Sequence, residues 1–406
     1  MVRVFYYNPT CEMAIANGTV SWQPNQLLQR MESDCGMLPL VFAADNDKVL
    51  VHQLPEKNHL LQLRDLGFDV PEFLQLPDAA ENPAVIGERI SSLEPWGWSP
   101  AAHHLLRHLK PSCSDDFKLR PNAVWSDEVR TLYSREFALK VLAAVLKAEN
   151  ADDLVAEEHL PRVCTSLPEV EELLVRWGTL MVKAPFSSSG RGIQPVTTQP
   201  MNESIYNRIR GMIRQQKLVM VEPLHDRIED FAFQFHLDAA GVHFGGLSWF
   251  KTGDGGQYEG NIIAGKNRQN RPESVGTPLH DRLLKLADRL KKVLMDMKVH
   301  HIYHGVIGVD GMLFNEDGDV KIYPCLEINF RYNMGYLAHQ LDNVVADDAK
   351  GYFATFFNGK DAFGEFAEQM SLKYPIVTSQ GHVQQGFVPI VSPTMDRRFG
   401  AYMVLR

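Results

Sequence analysis

Four short stretches of this chain carry residue types suited to phosphate and divalent-metal chemistry. The first is MVKAPFSSSGRGI, Met181–Ile193, in which an apolar strand delivers Lys183 to a Ser/Gly segment. Backbone N–H groups, hydroxyls and one cation suit a polyphosphate, although the Gly-Lys-Ser/Thr ending of a P-loop is absent. The second is VMVEPLHDRIED, Val219–Asp230, whose strand ends in Glu222 and whose second acid, Glu229, follows seven residues later. A strand end with a carboxylate suits a nucleotide base, and a further carboxylate suits a ribose diol. The third is Asp310, closing the run Gly305–Val309, and the fourth is CLEINFR, Cys325–Arg331. On a strand, Glu327 and Asn329 share one face and Ile328 and Phe330 take the other. Two acids and an amide oxygen form a hard-oxygen set that suits Mg²⁺ carrying phosphates. Arg331 falls on the same face and is placed to offset charge on a transferring phosphoryl group. Singly, each stretch has an ordinary reading as a surface loop or a solvated acid.

The elements that must position these residues are legible in part. Val2–Tyr7 reads as a first strand, and Leu38–Ala43 and Lys48–His52 as two more around the turn Asp45-Asn46-Asp47. Leu60–Leu66 reads as a helix stopped by Gly67. Beyond it Pro71, Pro77, Pro83 and Pro95 punctuate the chain, and Trp96 and Trp98 of PWGWSP read as packing residues. From Arg135, apolar Phe137, Val141, Leu142 and Val145 line one helical face. Further helices are expected at Pro168–Arg176, Ser204–Gln216 and Leu279–Met297, and strands at Thr179–Val182 and Leu218–Val221. Phe231, Phe233 and Phe235 alternate with small or polar residues, which predicts a strand with one buried face, returning as Val242–Phe250 after a turn. KTGDGGQYEGN, Lys251–Asn261, reads as a Gly-rich loop. Short strands at Gly305–Val309, Met312–Phe314, Lys321–Tyr323 and Leu326–Ile328 surround a turn at Asn315–Gly318. Hairpins mixed with helices are an α+β signature.

Composition sets the frame. At roughly 150 residues per domain, 406 residues imply two or three domains. Forty-one basic against fifty acidic residues, a net charge of −9, exclude a broad footprint for nucleic acid or an anionic membrane. Five scattered cysteines without a Cys-x-x-Cys read as free thiols. The start MVRVFYYNPTCEMA lacks the pattern of a signal peptide, and no apolar window of about 18 residues exists, so a cytoplasmic protein without membrane partners is expected.

The order of the parts resembles the ATP-grasp superfamily: Lys and a Ser/Gly segment, a strand-end Glu, a Glu seven residues on, then Asp and Glu-x-Asn-x-Arg, over roughly Ser126–Leu341. The resemblance implies an α+β fold of ATP-grasp architecture. An N-terminal α/β (pre-ATP-grasp) lobe over residues 1–125 would face substrate. A small lobe with the Gly-rich loop would span 126–220, and a large lobe with the metal site and a C-terminal extension 221–406, the two clamping the nucleotide. Lys183 would touch the α and β phosphates, and Ser187, Ser188, Ser189, Gly190, Arg191 and Gly192 would cover the triphosphate. Glu222 and the Leu224 backbone would frame the adenine, and Glu229 would hold the ribose. Asp310, Glu327 and Asn329 would bind two Mg²⁺ ions, with Mn²⁺ an alternative, and Arg331 would face the transferred phosphate. The chain departs from the family pattern in YSREFALK, where a second nucleotide-binding lysine is usual: either Arg135 substitutes or Lys140 serves. It departs again at Gly308, where a basic residue is common, and in the long separation of Asp310 from Glu327.

The resemblance further implies ligase chemistry, in which ATP converts a carboxylate to an acyl phosphate that an amine then displaces. Small-molecule or peptide carboxylates and amines are the expected substrates. Tyr258, Glu259 and Asn261 of the GQYEGN stretch are candidates to orient them, and turn chemistry is the plain alternative. Asn8 and Glu12 follow the first strand, where α/β sheets often bind ligands, and capping of the next helix is the favoured alternative. A kinase of the same fold and a non-catalytic ATP-binding module are the competing readings. Oligomeric state is left open, a homodimer included. His300, His301 and His304 lack an acid at ligand spacing, and Ser187–Ser189 lack Gly-x-Ser-x-Gly; His103-His104 sits on a helix with leucines, where packing is the default.

Overall fold

A computed structural model describes residues 1–187, 192–253, 258–268, 270–358 and 362–406. Two compact units emerge: Met1–Trp125 with Glu259–Ser274 and Arg331–Arg406, and Ser126–Tyr258 with Val275–Phe330.

The chain begins with β1 (Val2–Tyr6), β2 (Lys48–Val51), β3 (Glu72–Gln75) and β4 (Ile90–Pro95). They form a parallel sheet in the order β3-β2-β1-β4. β1 and β2 are buried along nearly their whole length, as parallel strands covered on both faces must be. The expected strand at Leu38–Ala43 is instead a 3-10 turn, Leu38–Val41. Pro39 lies in its first turn, where a fixed φ and a missing N–H are tolerated, whereas a sheet would lose a ladder bond. Helix Lys57–Asp65 ends before Gly67, whose φ of 91° suits glycine. Trp96 and Trp98 are both buried, as packing residues.

The second unit contains a small sheet of β5 (Arg162–Cys164), β6 (Leu180–Lys183), β7 (Ile193–Val196) and β8 (Val219–Pro223), in the order β5-β8-β6-β7. Helices Leu167–Trp177 and Glu203–Gln216 cover it, and Val170, Leu174, Val182, Ile209 and Val221 are the centre of its core. β9 (Asp226–Asp238) and β10 (Gly241–Thr252) form the expected hairpin. β9 is buried on both faces, not one: Ala232 and Gln234 are as enclosed as the phenylalanines, and Gln234 is satisfied by the Ser248 hydroxyl at 3.0 Å.

After β11 (Tyr258–Ala264), the second unit is completed by β12 (Gly305–Glu316) and β13 (Asp319–Asn329). Each is one long strand where the sequence suggested two short ones, and the unit's strand order is β13-β12-β9-β10. Helices Arg135–Glu149 and Thr277–Asp296 pack on β13 and β10 respectively, joined by Arg282, which bonds both Glu149 and Asp153. In the first unit, β11 pairs with β14 (Lys350–Phe357), and β15 (Val377–Ser379), β16 (His382–Pro389) and β17 (Phe399–Leu405) extend the order β11-β14-β17-β16-β15. Tyr258, Glu259 and Asn261 therefore stand on a strand rather than in a loop. All five cysteines are free and buried, and no helix among the described residues is long and apolar enough to cross a membrane.

The β12–β13 pairing is irregular between Asp310 and Met312. A Cβ on Gly311 there would lie 2.6 Å from the Phe231 ring and 2.8 Å from the Tyr323 carbonyl. Gly311→Ala is expected to destabilise the protein by about 1–3 kcal/mol through forced displacement of Phe231 or the backbone. A urea midpoint equal to that of the unaltered protein would show the site to be more accommodating than this.

Candidate active site

Asp310 and Glu327 are directly opposed across the β12–β13 ladder. Like charges so placed repel each other. Asn329, opposite Gly308, donates from Nδ2 to Asp310 Oδ2 at 2.9 Å, and the whole hairpin accounts for the long sequence separation of these residues. Burial pushes the neighbouring Cys325 thiol strongly upward in pKa, and the charges of Asp310 and Glu327 push it further.

The counter-charge comes from Arg135. Ser134 caps helix Arg135–Glu149 at its N-terminus, which puts Arg135 in the first helical position. Its buried guanidinium donates from Nη2 to Glu327 Oε2 at 2.5 Å, and from Nη1 to the Ala184 carbonyl and the Ser187 hydroxyl, both at 2.6 Å. Nε is buried and has no hydrogen-bond partner among the described residues. One side chain thus ties the end of the β6 segment to the acid pair. Lys140, the other candidate, is exposed.

Lys183, at the end of β6, forms an ion pair with Glu222 at the end of β8. Both are buried, and the Tyr323 hydroxyl donates to the second oxygen of Glu222 at 3.2 Å. Burial and the adjacent Glu222 raise the Tyr323 pKa well above its ordinary value. His225 packs at an angle against Phe314 and edge-on to Tyr323, and burial lowers its pKa to about 4, so it is neutral at pH 7. Leu224 donates its N–H to the Thr179 carbonyl at 3.2 Å. Glu229 is half-buried on β9, opposite Leu313. Gly192 accepts from the Ala184 N–H at 2.8 Å, and a Cβ there would collide with Ser187. Ser188, Ser189, Gly190 and Arg191 lie outside the described residues.

Tyr323 was missed by sequence reasoning, yet β13 contained the signal: Tyr323, Cys325, Glu327 and Asn329 are spaced at two-residue intervals. Arg331 is different. β13 ends at Asn329, so strand alternation does not extend to it. Its guanidinium, in the first unit, pairs with buried Glu12 at 3.0 Å. Asn8 does not cap the following helix; its amide exchanges two hydrogen bonds with Gly97. Tyr258 ends the second unit, while exposed Glu259 and buried Asn261 belong to the first, Asn261 opposite Phe353.

Among the described residues no group of three or more His, Cys, Asp and Glu is arranged to hold a metal. A cation here would draw on Asp310, Glu327 and the Asn329 amide, and this oxygen set fits Mg²⁺ by donor chemistry. His300 and His301 meet edge to face, and His103 stacks on Trp98.

No protein-family model matches the chain, and no curated protein does. Among solved structures, biotin carboxylase from Campylobacter jejuni, in a β-γ-ATP complex, is similar at TM-score 0.54 and 10% identity, covering 100% of this chain and 87% of that one. N5-carboxyaminoimidazole ribonucleotide synthetase from Thermus thermophilus is similar at TM-score 0.51 and 13% identity, covering 100% and 94%. At such identities the likeness is one of fold.

Arg135→Met removes the cation from an opposed acid pair. We expect a loss of roughly 1–3 kcal/mol without divalent ions, partly recovered when Mg²⁺ is added. Thermal unfolding with and without Mg²⁺ measures both; a variant as stable as the unaltered protein in either condition would contradict the charge-balance account.

Proposed function

On the premise that this chain has the ATP-grasp fold, we propose that it is an ATP-dependent, Mg²⁺-assisted ligase that joins a carboxylate to an amine. The observation that carries the reading is the Arg135 guanidinium, which links the Lys183 strand end to the Asp310/Glu327/Asn329 set within one unit. The Lys183 strand end and a hard-oxygen set lie on either side of one cation whose Nε has no hydrogen-bond partner among the described residues. That is the arrangement a nucleotide polyphosphate requires.

In this reading Lys183, Arg135, Ser187 and Gly192 bind the phosphates, together with Ser188, Ser189, Gly190 and Arg191. Glu222 and Leu224 frame the base, and Glu229 holds the ribose. Asp310, Glu327 and Asn329 hold the metal, which neutralises phosphate oxygens when bound. Arg331, two residues past Asn329, offsets charge on the transferred group, and Tyr258, Glu259 and Asn261 orient substrate. A substrate carboxylate oxygen attacks the γ-phosphorus and the bond to ADP breaks, which gives an acyl phosphate. The amine nitrogen then attacks the acyl carbon, phosphate leaves, and the nitrogen gives up a proton. Catalysis comes from alignment and charge neutralisation, and no protein nucleophile takes part.

Glu327→Gln and Lys183→Ala are each expected to abolish ATP turnover while the protein stays folded; normal turnover in either would refute the site assignment. Release of ADP and phosphate that depends on an added amine, with an intermediate trapped by hydroxylamine, supports ligation. A phosphorylated product stable to hydroxylamine would make the protein a kinase instead.

A further inference from the structure

The first unit holds a cavity of about 750 Å³ that the ATP reading does not use. It opens at the carboxyl ends of the parallel strands: Tyr6 ends β1, His52 follows β2, Leu76 follows β3 and Ser99 lies beyond β4. The order β3-β2-β1-β4 reverses direction between β1 and β4, and ligands bind open α/β sheets at such switch points. The volume suits a small molecule.

Its wall includes one unusual group. Glu32, on helix Gln26–Asp34, is only 5% exposed, yet lines the cavity. Thr10 donates its hydroxyl to Oε1 at 2.5 Å, and among the described residues no basic side chain pairs with Glu32. Arg30, on the same helix, is committed to Asp34 at 2.8 Å. Burial raises the Glu32 pKa to about 7 against the bonds from Thr10. A buried carboxyl is an expensive feature unless something compensates it. Glu12 and Asp34, buried acids on neighbouring helices of this unit, have their cations in Arg331 and Arg30; among the described residues Glu32 has none, and it faces a space large enough to admit one. Exposed Arg107, on the chain after β4, supplies positive charge to the lining, with Glu81 as the other lining acid.

We propose that this cavity binds a small primary amine that also carries an anionic group, with the ammonium on Glu32 and the anion toward Arg107. The amine's place as the acceptor in ligation rests on the function proposed above; its binding to the cavity does not.

Calorimetric titration of the full chain with glycine, L-alanine, L-glutamate and O-phosphoethanolamine, and with their N-acetyl counterparts, tests the assignment. At least one free amine is expected to bind saturably, and its N-acetyl form is not. Glu32→Gln keeps the shape and the Thr10 bond, and is expected to weaken binding roughly thirtyfold or more. Ala101→Phe fills the cavity from the helix after β4 and leaves the Glu32 carboxyl in place, and is expected to abolish binding even if Glu32→Gln misfolds. Equal binding of an N-acetyl form, undiminished binding in either folded variant, or no binding by any free amine would overturn the proposal. MgADP titrations on the same samples separate the two readings. Nucleotide binding without amine binding defeats only the cavity assignment, whereas amine binding without nucleotide binding defeats only the ligase.

Discussion

Two carboxylates facing each other across a β-ladder are a liability that a fold must offset, and in the second unit a guanidinium meets Glu327 while the Asn329 amide donates to Asp310. Asp310 and Glu327 occupy a directly opposed position in the β12–β13 register. Arg135 reaches Glu327 while its other amino group holds Ala184 and Ser187. A planar fork with five donors can serve several acceptors at once, where a lysine ammonium would act as a single point charge. The site is therefore also a joint: the start of one helix, the end of β6 and the face of β13 meet at a single charged group. Ser134 as the helix cap and Gly311 as the small residue beside the irregular pairing both help to set that meeting point.

The neighbouring Lys183–Glu222–Tyr323 group follows the same logic on a smaller scale. The lysine neutralises a buried acid, and a tyrosine hydroxyl completes its shell. Both strand ends, β6 and β8, thus deliver a charge already balanced by the other. Among the described residues no hydrogen-bond partner meets the buried Arg135 Nε, so one donor of this charged group is left unused.

In the first unit, aromatic packing supports the charged pair. Tyr332 stacks on Phe42 with ring centroids 4.6 Å apart, and its N–H bonds the Trp96 carbonyl at 2.8 Å. These contacts fix the chain immediately after Arg331, so the Glu12–Arg331 pair is held by packing as well as by charge. Glu12 and Glu32, both buried, differ in what surrounds them, and that difference separates a structural acid from a candidate ligand contact.

Much of this was legible in the residues alone. The 3.6-residue rhythm from Arg135 and the alternation of Phe231, Phe233 and Phe235 specify their elements, because periodic burial acts between near neighbours. The pairing of Glu327 with Asn329 on one face follows from strand geometry. Less legible were Leu38–Val41, where Pro39 overrides an apolar run, and Tyr258–Asn261, where glycines suggested a turn and strand pairing with β14 prevailed. Local sequence thus determined which residues are chemically equipped and which of them share a face. Only the tertiary structure decided which charge meets which: Arg135 with Glu327 across 192 residues, Arg331 with Glu12 across 319, and Glu32 with no cation among the described residues. The reason is physical. Partner choice among buried charges depends on register and on the packing of distant elements, and neither leaves a periodic trace along the chain.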